Sequence, residues 1–240
     1  MKCLVMIHQP HFLPWPGYFA RCLASSAVVF LDNVRFKKDY FHNRTKIVRR
    51  DGSVRWLTIP VDHTTRQLSI NKVMISSAFK NRVINNILRD SYCSSPDFKD
   101  ILAKIEQSLD SCRGSLASLN INLLRYIINN LTSDRCPPPE MYLASEFEHE
   151  NGRTKRLITI SQNLHCDGIL MGEDSFRCHN IQALLDHGIV PYALNFDHDK
   201  GPIPPDSVTI LHEVFKDSWD VVYNRLKNNW ILTERINNYG

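Results

Sequence analysis

The first 32 residues constrain the fold more than any other stretch. KCLVMI (2–7) is a short apolar run of the kind that fits a strand buried on both faces. A proline-rich loop follows, then a helix-like segment from Gly17 to about Ser25. AVVFLD (27–32) is a second buried run that ends on a polar residue. Strand, loop, helix and strand in that span is the length of a βαβ unit, and such a crossover makes the two strands parallel.

The remaining chain fills in this pattern. TKIVRRDGSVRWLTIP reads as a hairpin, with two runs rich in β-branched and aromatic residues around Asp51-Gly52. Residues 77–131 are polar, helical in period and nearly free of Pro and Gly, with Ile84, Ile87, Leu88, Ile101, Ile105 and Leu109 on an apolar stripe. They predict about three helices, an insert or subdomain over roughly 77–135. CPPPE (136–140) closes it and leads in extended form to the strand MYLASEF. TKRLITISQNLH has a helical apolar face. CDGILMG is a strand, EDSFRCHN a loop, IQALLDHG a helix and IVPYALNF a strand, and the tail is helical over WDVVYNRLKNN. The expected architecture is one α/β domain over 1–240: a mostly parallel, Rossmann-like sheet with flanking helices, a hairpin excursion and a helical insert.

Composition narrows the function classes. A chain of 240 residues with 43% hydrophobic and 22% charged residues can bury a sizeable core. Its net charge of +4 suits a phosphate-bearing small ligand and gives no ground for DNA binding. No run approaches the length of a membrane span, and MKCLVMIHQP is too short in its apolar part for a secretory leader. A cytoplasmic protein without membrane insertion is expected. The seven cysteines are scattered, odd in number and without a CxxC pair, so they read as reduced thiols, not as a disulfide frame or zinc site.

Ligands of open parallel sheets bind outside the carboxyl ends of the strands. That rule collects His8, Gln9, His11 and Trp15 after the first strand and Asp32, Asn33, Arg35 and Lys37 after the second. Glu173, Asp174, Ser175 and Arg177 follow GILMG, and Asp197, His198, Asp199 and Lys200 follow YALNF. Each has a plainer reading: a histidine can cap a strand, Trp15 and Tyr18 can be core, and basic residues can be a solvated face. The loop itself is harder to dismiss. Pro10, Pro14 and Pro16 stiffen it, which holds polar groups in place as a site requires, and Gly17 allows a close approach to the helix start.

HQPHFLPWPGYFARCLASSAVVFLDNVRF, followed by NRTKI and WLTIPV, resembles the WbqC-like family of bacteria, whose members open on an HQPxYLPWxGYF motif. SEFEHENGRTKRLITISQNLHCDGILMG resembles a second family stretch. The chain departs from the pattern at His11-Phe12, at Arg21 where Lys is usual, and across MGEDSFRCHN. The resemblance implies a place in O-antigen or other surface-polysaccharide synthesis, with an aminoacyl group, glycyl foremost, passed to a nucleotide-linked amino sugar. Such chemistry needs a base, donors for developing negative charge and a platform for sugar or nucleobase.

On that reading His8 and Gln9 are the catalytic candidates. His11, Trp15, Tyr18, Asp32, Asn43, Arg44, Lys46 and Glu173 are the substrate-binding candidates, and no metal site is expected. ATP is an open cofactor, and charged tRNA or a carrier-protein thioester is an open acyl donor. Two alternatives stand beside it: an adenylate-forming, nucleotidylyltransferase-like enzyme, and a non-catalytic binding protein of a polysaccharide assembly complex.

Overall fold

The computed structural model describes residues 2–79, 82–148, 152–197 and 208–235. The expected βαβ unit is β1 (Leu4–His8), α1 (Pro16–Leu23) and β2 (Ala27–Phe30). Pro16 sits at the first turn of α1, where its missing N–H costs nothing. The hairpin is β3 (Arg44–Val48) and β4 (Val54–Thr58), closed by Gly52 at φ +80°. Three helices follow: α2 (Arg82–Tyr92), α3 (Phe98–Ser111) and α4 (Leu116–Thr132), the last capped by the Ser115 side chain. The α/β pattern resumes with β5 (Glu140–Leu143), α5 (Arg153–Asn163), β6 (Gly168–Met171), α6 (Glu173–Phe176), α7 (Ile181–Asp186) and β7 (Val190–Phe196). It ends in α8 (Leu211–Lys216), α9 (Trp219–Asn228) and β8 (Trp230–Glu234).

The main sheet has six strands in the order β5-β2-β1-β6-β7-β8. The first five are parallel, with Val5 opposite Ala27 and Leu4 opposite Gly168, and β8 runs antiparallel to β7. This is the α/β class that the sequence predicts. Alternate residues face opposite cores. Met6, Val28 and Leu170 join one cluster with apolar residues of α1 and the three-helix segment, and Val5, Ile7, Val29 and Ile169 join another with Leu157, Ile158 and Ile160 of α5. Both faces are covered, which explains why β1 and β2 read as unbroken apolar runs. Among the described residues no helix is long and apolar enough to cross a membrane.

Gly168 shows how tightly the central strands pack. A Cβ there would lie 2.4 Å from Leu4 Cδ2 and 3.0 Å from Tyr192 Cε2. Gly168→Ala is expected to cost about 1–3 kcal/mol through overpacking, read as a lower midpoint in urea denaturation. An unchanged midpoint would show that Leu4 swings aside freely.

Four expectations are corrected. The tail is not only helical: Trp230–Glu234 forms an edge strand, held by β7 and mostly exposed, so no apolar alternation marks it in sequence. The EDSFRCHN loop contains a helical turn, α6, and the MYLASEF strand stops at Leu143 before a 3-10 turn over Ala144–Glu146. A disulfide joins Cys3 to Cys166, against the expectation of reduced thiols. The cysteines are 163 residues apart in sequence, and they meet because each lies just before one of two adjacent parallel strands. Gly17 makes room for Trp230, whose Cη2 would lie 2.7 Å from a Cβ there.

Candidate functional site

The strand order turns at β1. The chain leaves β1 toward β2 and β5 on one side and returns to β6 and β7 on the other. A crevice opens at such a switch point, outside the carboxyl ends of the strands. Here it is a cavity of about 620 Å³, within the size range of small-ligand sites. Ile7, Leu31 and Met171 form apolar wall. His8 and Gln9 line it from the end of β1, and Gly172, Asp174 and Ser175 from the end of β6.

Among the described residues, Arg35, Lys37, Arg153 and Arg156 bring four cations to this lining against one carboxylate, Asp174. Two of them stand in the first turn of α5, which holds no acidic residue. Cations at a helix N-terminus oppose the macrodipole, so a first turn built this way is suited to an anion from outside. The Arg156 Nε is buried and has no partner. His179 joins the lining, and burial with the nearby Arg153 charge lowers its pKa.

Four carbonyls of the loop after β1 are held by donors from outside it. The Tyr18 hydroxyl donates to Gln9 O (3.1 Å), Asn120 Nδ2 to Pro10 O (2.9 Å), Thr45 Oγ1 to Leu13 O (2.9 Å) and the Ile210 N–H to Pro14 O (2.9 Å). The donors come from four different parts of the chain, so the loop is fixed by the whole fold and not only by its prolines. Asn120 also donates to His42 O (2.7 Å), binding the two loops that carry the site.

These bonds settle two histidine tautomers. His8 Nδ1 lies 3.0 Å from Gln9 O, which can only accept, so Nδ1 carries the hydrogen and Nε2 the lone pair. His42 Nδ1 accepts the Lys37 backbone N–H (3.0 Å), leaving Nε2–H to donate to Gln9 Oε1 (2.9 Å). The Gln9 amide oxygen is thereby occupied, and its NH2 remains a donor at the cavity wall. Burial is the main force on both rings. It pushes His8 down to about 3, helped by the Arg21 charge, and His42 down to about 4, helped by Lys37.

The other sequence candidates lie elsewhere. His11 is fully buried, with both ring nitrogens unpartnered, among the rings of His8, Trp15, Tyr18, Tyr40, Phe41 and His42 at 4.8–5.9 Å. Tyr18 is buried and supports Gln9, and Trp15 is half-buried against Tyr18 and Phe41. Asp32 accepts the Ser145 N–H (2.9 Å), the Ser145 hydroxyl (2.7 Å) and Asn71 Nδ2 (3.3 Å), so its carboxylate ties β2 to the turn after β5. Asn43 donates to Ile59 O (2.7 Å) within the hairpin region. Arg44 pairs with Asp39 (3.2 Å) and stacks on Trp56, with Lys46 over the same ring. Glu173 pairs with Arg235 (2.7 Å) at an exposed position.

Of the catalytic and substrate-binding candidates, His8 and Gln9 line the cavity, and from the wider set gathered at the strand ends Asn33, Arg35, Lys37, Asp174 and Ser175 join them. His198, Asp199 and Lys200 lie outside the described residues. Among the described residues no group of three His, Cys, Asp or Glu side chains could hold a metal ion. Sequence reasoning passed over Arg153 and Arg156, although their signal was present: a helix that opens on RTKR with no acid.

The family model of the WbqC-like protein family matches residues 9–200. A protein of Mycobacterium tuberculosis (strain ATCC 25618 / H37Rv), named Uncharacterized protein Rv1507c, is 28% identical over 165 residues, which span 66% of this chain and 67% of that protein. No solved structure matches the chain. With the proline loop, β1, β6 and the basic start of α5 all inside or beside the matched stretch, the chain belongs to the WbqC-like protein family.

Proposed function

We propose that the switch-point cavity binds a nucleotide-linked amino sugar and that the chain transfers an aminoacyl group, glycyl foremost, to its amine in the cytoplasmic stage of O-antigen or other surface-polysaccharide synthesis. The observation that carries the binding half is the charge of the lining: among the described residues, four cations, one carboxylate and a helix N-terminus around a cavity of about 620 Å³. The chemical half is supported by the family resemblance and by His8 and Gln9 at the end of β1.

In this reaction the amine nitrogen attacks the acyl carbonyl. A C–N bond forms, the bond to the donor's oxygen or sulfur breaks, and the amine proton leaves with the departing group. An imidazole pushed down to about 3 is too weak a base to strip an ammonium. Its role in the proposal is to accept a hydrogen bond at Nε2 from an amine that is already neutral, which orients the nitrogen lone pair. The Gln9 NH2 supplies a donor for the oxygen that becomes negative. Turnover should therefore rise with pH until the substrate amine is free.

The test is mass spectrometry of products from purified protein given nucleoside-diphosphate-linked amino sugars with glycine and ATP, charged tRNA or a carrier thioester. A glycylated sugar whose formation falls roughly 100-fold or more in His8→Ala is the expected result. AMP and pyrophosphate without sugar product would reassign the chain to adenylate formation. Tight sugar-nucleotide binding without turnover from any donor would reassign it to the binding role.

A further inference from the structure

Two charged side chains are buried among the described residues, and they are treated oppositely by the fold. Asp32, 3% exposed, has three hydrogen-bond donors. Arg21, 7% exposed on α1, has no side-chain hydrogen bond and no ion pair among the described residues. Arginines nearer the surface do better: Arg44, Arg135, Arg225 and Arg235 each hold a carboxylate. An uncompensated buried guanidinium costs several kcal/mol, so its retention calls for a partner that the polypeptide does not itself supply.

The position of Arg21 identifies where that partner would sit. Its Nη1 lies 2.7 Å from where a Cβ on residue 172 would be, so the absence of a side chain at Gly172 is what admits the guanidinium. Gly172 lines the cavity at the end of β6. His8 and Tyr40, which feel the Arg21 charge, line the same cavity. The titratable groups that interact electrostatically with the guanidinium are Tyr18, Cys22, Tyr40, His8 and His11, and burial keeps each of them neutral in the fold.

We propose that Arg21 is the deep anion-binding residue of the switch-point cavity, donating past Gly172 to a negatively charged oxygen of the ligand, phosphoryl or carboxylate. The inference rests on reading the cavity as a binding site and deepens it by naming the group that takes the charge. The four lining cations hold the ligand at the mouth, and Arg21 neutralises the oxygen that goes deepest. Binding also has a consequence next door. An anion on Arg21 offsets part of the Arg21 charge that acts on the His8 ring beside burial, so an occupied site makes His8 Nε2 a stronger hydrogen-bond acceptor than an empty one.

Calorimetric titration of the full chain with UDP, inorganic phosphate and glycine tests this and separates the two sources of the oxygen. Arg21→Met keeps length and burial without charge. It is expected to weaken the probe that binds by roughly 10- to 100-fold while leaving the thermal midpoint equal to or above that of the parent. Gly172→Ala crowds the guanidinium and should weaken the same probe with Arg21 still present. Arg21→Lys should restore part of the affinity. Loss with UDP or phosphate assigns a phosphoryl oxygen, and loss with glycine a carboxylate. Parent-like binding in Arg21→Met, a lowered midpoint in Arg21→Met with parent-like binding in Gly172→Ala, or no binding of any probe by the parent protein would overturn the inference. If no sugar product is ever found but Arg21→Met loses UDP, the transferase reading fails and the Arg21 assignment stands. If Arg21→Met makes product at the parent rate and binds UDP normally, the Arg21 assignment fails alone.

Discussion

Acidification from pH 7 to pH 5 is expected to remove about 4 kcal/mol of folding stability through two buried histidines alone. His11 is held well below its ordinary value of 6.5, by burial first and by the neighbouring His8, His42 and Arg21 charges second. His42 is pushed down to about 4 by burial and Lys37. Both rings stay neutral in the fold, whereas the unfolded chain protonates them as pH falls through 6.5. Between those values the unfolded state binds more protons, so stability is fully present above about 6.5 and is lost as pH falls toward the folded values. His8 adds to the loss in the same direction. Thermal melts across this range should show the midpoint falling on the order of 10 °C. His11→Phe should flatten the profile by about a third, because one of the three rings no longer titrates. A midpoint that stays level between pH 7 and pH 5 would mean that these rings take up protons without unfolding.

Asn120→Ala is expected to cost about 3 kcal/mol and to loosen the site at the same time. Asn120 is fully buried on α4, and its amide donates to Pro10 O at 2.9 Å and to His42 O at 2.7 Å. Truncation leaves two buried carbonyls without donors, each worth roughly 1–3 kcal/mol in desolvation. For a chain of this size that lowers the melting midpoint by roughly 6–12 °C. Asn122, two residues along the same helix, has only a long contact to Ser111 at 3.5 Å, so Asn122→Ala should change the midpoint little. Because the two carbonyls belong to the loops that carry Gln9 and His42, hydrogen exchange in residues 8–14 and 40–43 should quicken in Asn120→Ala. Equal midpoints for the two variants would show that water replaces the amide at no cost.

The parallel sheet was legible because its strands are buried on both faces and are separated by helices of clear period. The hairpin was legible from Asp51-Gly52, and the helical segment from stripes such as Ile101, Ile105 and Leu109. The edge strand β8 was not, since an exposed strand of five residues carries no face pattern and owes its form to β7. For the candidate site, the strand-end rule gathered His8, Gln9, Asn33, Arg35, Lys37, Asp174 and Ser175, which line the switch-point crevice, together with residues that do not. Asp32 and Glu173 both follow strands, yet one is consumed by Ser145 and the other by Arg235. Arg21 was invisible as a candidate because an arginine within a short helix reads as solvated surface, and only packing reveals that it is buried without a partner. The Cys3–Cys166 pair was hidden for the same reason, as neighbours in the sheet are strangers in the sequence.

Placing β1 at the centre of the sheet has a consequence for how the protein is made. In synthesis β2 follows β1 almost at once, but β6, its partner on the other edge, arrives 163 residues behind when counted from Cys3 to Cys166. At roughly 5–20 residues per second, the central strand waits about 8–33 s on the ribosome with one edge open. Throughout that interval the proline loop exists with only half of its surroundings, since α5, Gly172 and the helical turn after it have not yet been translated. The loop after β1 thus emerges well before it can acquire its working shape, and a ribosome-bound chain arrested before Gly168 would carry His8 and Gln9 without a pocket.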